Sequence, residues 1–211
     1  MTTDLLSTLF GGDDHSDVDA RILEAALEQF ALTGVRRTST DDIARRAGVN
    51  RATLYRRLGP KDDIVSAAYL YEAVRVLQHI ETELAGVDDV DEYVVRMFTV
   101  TITALRGNRL LEQMLQVDRE ETLQSLTVGA GSVLDLASQF LAGKIRDLRT
   151  RAGTLGSPDD PATDRHVTDL AALLARLAQS LLLTQDGPPR LRTEDEMRDF
   201  AVSVLVPLVK G

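Results

Sequence analysis

The stretch 39–58, STDDIARRAGVNRATLYRRL, constrains the fold more than any other part of the chain. Two short segments with helical apolar spacing, Ile43-Ala44-x-x-Ala47 and Ala52-x-Leu54-Tyr55-x-x-Leu58, flank the four residues Ala47-Gly48-Val49-Asn50. A glycine-bearing turn of that length between two helices is the mark of a helix-turn-helix. Ser39 or Thr40 can accept hydrogen bonds from the first N–H groups of the leading helix, and Gly48 can end it in the left-handed conformation. Asn50 can cap the second helix, 51–58, with Ala52, Leu54 and Leu58 facing inward and Ala52 small enough for close approach.

That leaves Arg51, Thr53, Tyr55, Arg56 and Arg57 for the outer face. Arginine presents a planar fork to guanine or phosphate, threonine reaches a base or phosphate, and tyrosine carries a hydroxyl on a rigid stem. A solvated charged face on an ordinary helical pair is the bland alternative. Position and chemistry together favour a unit that reads duplex DNA.

The net charge of -9 opposes that reading until it is divided. Between Val35 and Lys61 stand eight basic residues, Arg36, Arg37, Arg45, Arg46, Arg51, Arg56, Arg57 and Lys61, against Asp41 and Asp42. The segment carries +6 and the remainder -15. Screening over about 8 Å at physiological salt lets such a patch meet a polyanion despite an acidic body.

Upstream, 17–33 has a strong helical stripe through Val18, Ile22, Ala25, Ala26 and Phe30, with Ser16 or Asp17 as its cap and Gly34 as its end. Residues 1–16 read as a tail without a basic arm, and 17–60 as the helix-turn-helix domain. Pro60 suits the first turn of a long fourth helix reaching about Ala85, and Lys61 could join its N-terminus in holding a phosphate. Residues 61–211 form the second expected domain, with helices at 91–105, 108–117, 120–126, 132–152, 163–184 and 193–209. Ser132 with Asp135, and Thr193 with Glu196, have the spacing of capping boxes. No strand alternation, repeat or low-complexity tract stands out, so the expected class is all-α.

Helix 163–184 is apolar nearly all round, which calls for burial on more than one side. One side can face its own domain and the other an identical helix across a two-fold axis. Leu170, Leu174, Leu177 and Leu181, with Phe200, Val204 and Leu208 on the last helix, are the expected homodimer interface.

The run from Ala20 to about Leu77 resembles the TetR family of one-component transcriptional regulators. The likeness rests on Ile22-x-x-Ala25-Ala26-x-x-x-Phe30, Gly34, Thr40-x-x-Ile43-Ala44-x-x-Ala47-Gly48-Val49, then Thr53-Leu54-Tyr55-Arg56 and Lys61. It departs at Leu58, where an aromatic residue is usual, and at Gly59-Pro60. The resemblance implies an all-helical homodimer with DNA-binding heads and a C-terminal ligand-sensing and dimerisation domain. By the same resemblance Thr40, Asn50, Arg51, Ala52, Thr53, Tyr55, Arg56, Arg57 and Lys61 fall where family members contact DNA, with Arg45 as an addition.

The expected function is a repressor released from a palindromic double-stranded DNA operator by a small effector. Met97, Phe98, Thr101, Met114 and Phe140 are candidate pocket residues, each more often simple core. Aromatic residues make up only 4% of the chain, which points to an aliphatic or lipid-like effector. The chain has no cysteine and only His15, His79 and His166, so no metal site and no cofactor are expected. No apolar run near the ~20 residues of a membrane span and no secretory signal are evident, and a cytoplasmic location is expected. A C-terminal domain that docks a protein partner is the alternative. A helical enzyme ranks lower, because no nucleophile–base pair or phosphate-cradling loop accompanies the acids at Asp88-Asp89 and Asp159-Asp160.

Overall fold

A computed structural model describes residues 14–156 and 161–211. Most of the expected tail, and the acids Asp159 and Asp160, lie outside them. Among the described residues every regular element is helical: α1 (Asp14–Thr33), α2 (Thr40–Ala47), α3 (Arg51–Leu58), α4 (Lys61–Glu83), α5 (Val90–Arg106), α6 (Arg109–Val117), α7 (Arg119–Leu126), α8 (Gly131–Ala152), α9 (Pro161–Leu183), α10 (Glu194–Phe200) and α11 (Val206–Lys210). Compactness divides the chain into two units, 1–74 with 108–133 and 75–107 with 134–211. That division differs from the expected boundary after residue 60: α4 runs from one unit into the other, and α6 and α7 group with the head.

In the first unit α1 buries the stripe Ile22, Leu23, Ala26, Leu27 and Phe30 against α2 and α6. The helix already runs from Asp14, so Ser16 and Asp17 lie within it instead of capping it. Gly34 ends it at φ 85°, and a Cβ there would come within 2.8 Å of Asp118 Cβ. Asp118, at the corner between α6 and α7, accepts a 3.0 Å hydrogen bond from the Arg36 backbone N–H. Met114, expected in a pocket, is instead buried in this unit, where its carbonyl accepts a 3.2 Å bond from the hidden Thr122 hydroxyl.

The core of the second unit joins α5, α8, α9 and the C-terminal helices through residues such as Val95, Ile102, Ile145, Val167, Ala171 and Leu205. α9 is long and apolar enough, by length and composition alone, to cross a membrane, which revises the expectation that no such run exists. Its residues Val167, Ala171 and Ala175 are nevertheless packed inside the unit. α8 starts at Gly131, so Ser132 is not its cap, whereas the Thr193–Glu196 capping box is formed at α10. The expected single helix over 193–209 opens into a wide π turn at Ala201–Leu205, where the Val206 N–H bonds to the Ala201 carbonyl. Pro207 explains the change: it has no N–H, and its ring would strike the carbonyl four residues back in a regular helix. Arg149 is buried and holds the far end, donating from Nε to the Val209 carbonyl at 2.7 Å and from an Nη to that of Leu208 at 3.3 Å. Last-turn carbonyls have no partner within the helix, and here a guanidinium supplies one.

Candidate nucleic-acid interface

The Ser39 hydroxyl accepts from the Asp42 N–H at 3.2 Å while the Asp42 carboxylate accepts from the Ser39 N–H at 3.1 Å, a reciprocal cap that starts α2. Gly48, at φ 68°, stops it in a conformation that a side chain would strain. Asn50, the last residue of the turn, then accepts from the Thr53 N–H at 2.7 Å and starts α3. Ile43, Ala44 and Ala47 of α2 and Leu54 and Leu58 of α3 are buried, which fixes the rotation of both helices.

With that rotation Arg51, Ala52, Tyr55 and Arg56 are exposed and Thr53 is half-buried. Ala52 therefore faces outward, against the inward position expected from spacing: in a helix of eight residues, Leu54 and Leu58 alone set the buried side. The Tyr55 hydroxyl lies 3.1 Å from the Thr40 hydroxyl and accepts from Arg51 at 3.3 Å, and the Arg51 guanidinium lies 5.3 Å from the ring centroid. These contacts hold the aromatic stem in place. The Thr40 bond first, then Arg51, lower the Tyr55 pKa from its ordinary value. The Arg51 pKa is raised by the bond to Tyr55 and by the charge of Asp41, whose carboxylate is 3.4 Å away.

The remaining expected contacts divide. Thr40 is buried, so its hydroxyl positions Tyr55 instead of reaching outward. Arg57 is turned away from the outer face and pairs with Asp19 of α1, with side-chain exposures of only 15% and 11%. Arg45 is exposed and paired with Asp42 at 2.5 Å, and Lys61 donates to the Arg36 carbonyl at 3.2 Å. Five of the eight cations, Arg36, Arg45, Arg46, Arg51 and Arg57, are thus ion-paired within the head's own unit. Arg56 is exposed and makes no ion pair or hydrogen bond with the described residues. Local spacing could not reveal the Asp19 pair, which closes over 38 positions.

The family model described as bacterial regulatory proteins, tetR family, matches residues 22–68, which span α1 to the first turns of α4. An uncharacterised HTH-type transcriptional regulator of Mycobacterium tuberculosis is 28% identical over 174 residues, covering 82% of this chain and 85% of its own. An HTH-type transcriptional repressor of the same species is 41% identical over 70 residues, 33% of each chain. The crystal structure of the TetR family repressor AlkX from a Dietzia strain superposes with a TM-score of 0.64 at 16% identity, covering 90% of this chain and 94% of that one. The head, residues 22–68, is thus of the TetR family.

As in the relatives it matches, this head belongs to a DNA-binding transcriptional regulator, not an enzyme. Among the described residues no group of three or more His, Asp or Glu side chains could hold a metal ion. The second unit contains a cavity of about 80 Å³ between α5, α8, α9 and the C-terminal segment. Met97, Phe98 and Thr101 line it as expected. Phe140 is not in the lining but lies beneath the Lys144 ammonium, 5.1 Å from its ring centroid. Leu174 and Leu177, expected at a dimer interface, line the cavity, and Leu170 and Leu181 are buried in their own core. Phe200 is half-buried, with its ring centroid 5.5 Å from that of Phe98. Of the expected interface only Val204 and Leu208 are exposed, and Leu173 and Val202 join them, Leu173 at 58%. Spacing alone did not show that Leu170, Leu174, Leu177 and Leu181 pack inward, because both sides of α9 are leucine-rich, and it did not mark Lys144 on the cavity wall, since no apolar pattern does.

Proposed function

We propose that the chain is a homodimeric repressor, released from a near-palindromic operator by a small, largely apolar effector. The partly open apolar cavity in the second unit carries the effector reading, since ligand sites are concave and apolar with few polar groups. Each head presents α3 to a major groove, with half-site centres ~34 Å apart or a multiple of that. Arg51, Tyr55 and Arg56 are the direct contacts. Asn50, Ala52, Thr53, Arg45 and Lys61 border them, and Thr40 and Arg57 support the head from within. The dimer forms through α9 and the C-terminal helices, where Leu173, Val202, Val204 and Leu208 are exposed. α4 links the two functions, because the helix that begins three residues after α3 ends among residues of the second unit. Switching from nearly all competent to nearly all incompetent requires about 5.5 kcal/mol of differential ligand affinity. The repressor name carried by the 41% identical relative, and the repressor AlkX, whose structure is described as implicated in biodegradation of n-alkanes, support the direction of control.

Selection of bound genomic fragments, followed by mobility shifts in a salt series, tests this. A dimer neutralising ~8 phosphates should give log K falling with log salt at a slope near -7, on one enriched palindrome. Fragments enriched without a shared palindrome, or a monomer on DNA, would refute the reading.

A further inference from the structure

The cavity of the second unit has a wall of Met97, Phe98, Leu141, Leu174 and Leu177 among others, and one charged side chain in it, Lys144. Lys144 also borders an open cleft with Tyr93, Asp147, Thr150 and Arg151, so its ammonium stands at the rim between an apolar and a polar space. Its Nζ is 2.6 Å from Glu81 Oε1. Arg151, on the same cleft, lies 5.1 Å from the Tyr93 ring centroid. A lysine on an apolar wall costs desolvation unless a partner offsets it. Here burial works to lower its pKa, but the Glu81 hydrogen bond with the charges of Tyr93, Glu81 and Asp147 outweighs it, and the net shift is upward. The group is a cation at neutral pH, and a purely hydrocarbon ligand would leave it unused.

We infer that the effector is a small amphipathic carboxylate whose apolar end fills this cavity and whose anionic end takes Lys144 from Glu81. The inference rests on the reading of this cavity as the effector site. Glu81 is half-exposed and returns to water at little cost, whereas the less exposed Lys144 is never left without a counter-charge. Size limits the tail: an apolar cavity of about 150 Å³ holds benzene, and this one has about half that volume. A few carbons are enclosed and the rest of a short chain lies toward the rim. Glu81 stands near the end of α4 and Lys144 on α8, so the exchange removes an ion pair that ties these two helices. Binding and release of that tie are then one event.

Calorimetry on the full chain with hexanoate, hexan-1-ol and hexylamine tests the inference without DNA. Hexanoate should bind roughly tenfold more tightly than hexanol, as expected for one charge-assisted hydrogen bond, and hexylamine more weakly than either. Lys144→Met should bring acid and alcohol to within about twofold, and Glu81→Gln should tighten hexanoate while leaving hexanol unchanged. If Lys144→Met does not fold, Lys144→Gln and the Glu81→Gln arm carry the same comparison. Equal binding of acid and alcohol by the unaltered chain, an acid preference that survives loss of Lys144, or no hexanoate binding at all overturns the inference. Mobility shifts on a selected duplex are read separately. Acid preference without DNA binding sinks the repressor reading alone, and DNA binding without acid preference sinks this inference alone.

Discussion

Replacing Arg57 separates a groove contact from an internal strut. A DNA-contacting arginine sits exposed, and its loss weakens binding while the fold keeps its stability. Arg57 instead faces Asp19, and both side chains are close to nine-tenths covered. Removing one member of a buried pair leaves an uncompensated charge and costs about 3–5 kcal/mol. Exposures of 15% and 11% leave some access to water and reduce that cost to about 2–3 kcal/mol. For a chain of this length each kcal/mol lowers the melting temperature by roughly 2–4 °C, and Arg57→Met should melt about 4–12 °C early. Asp19→Leu should cost a comparable amount, and the double variant Asp19→Leu/Arg57→Met should recover most of it, because a well-packed apolar pair can replace a buried ion pair. Circular dichroism melts measure the stability. A mobility shift at a temperature where every variant is folded then measures DNA binding, which should fall less than threefold. An Arg57→Met protein that melts with the unaltered chain yet loses tenfold or more in DNA affinity would refute the assignment.

On the outer face the pattern should invert. Arg56→Ala should leave the melting temperature within about 2 °C and weaken duplex binding about tenfold or more, the range of a bidentate base contact. Tyr55→Phe should act more weakly and by a similar route, and undiminished binding by both removes α3 from the interface. Leu173→Glu combined with Val204→Glu places charge on the exposed apolar residues of α9 and the C-terminal segment, and light scattering should report a monomer that still folds. A persistent dimer places the interface elsewhere. At the start of α2 the Ser39 hydroxyl first, then its backbone N–H, hold the Asp42 pKa below the ordinary carboxylate value, with Arg45 adding to them. The stabilisation from a depressed carboxylate is complete above about pH 4 and disappears as pH falls through the depressed value. The melting-temperature gap between the unaltered chain and Ser39→Ala should therefore narrow below pH 4, and a gap unchanged down to pH 2.5 would show that Asp42 contributes nothing to it.

Much of the head was legible without coordinates because its information is local. Ser39 and Asp42, Asn50 and Thr53, and Gly48 act over three or four positions, so their roles follow from spacing. α2 and α3 accordingly begin at the residues that the caps indicate. The charge of the segment was also countable, but its use was not. Glu120 and Glu121 meet Arg36 from over eighty positions away, and Asp19 meets Arg57 from 38, so five cations of the patch already have counter-charges.

The one-dimensional pattern by itself determined an all-helical chain, the helix-turn-helix and its outward row Arg51, Tyr55 and Arg56. Capping, turn chemistry and helical period are short-range, and any fold containing that segment must respect them. Tertiary structure alone decided which leucines of α9 face the core, the cavity or solvent, because a helix apolar on all sides has no preferred rotation until neighbours are packed against it. It also decided that Arg57 is a strut, that Ala52 looks outward, and that Lys144 is the single charge on an apolar wall. Burial and charge pairing depend on what the rest of the chain brings within a few ångströms, and no spacing rule extends that far.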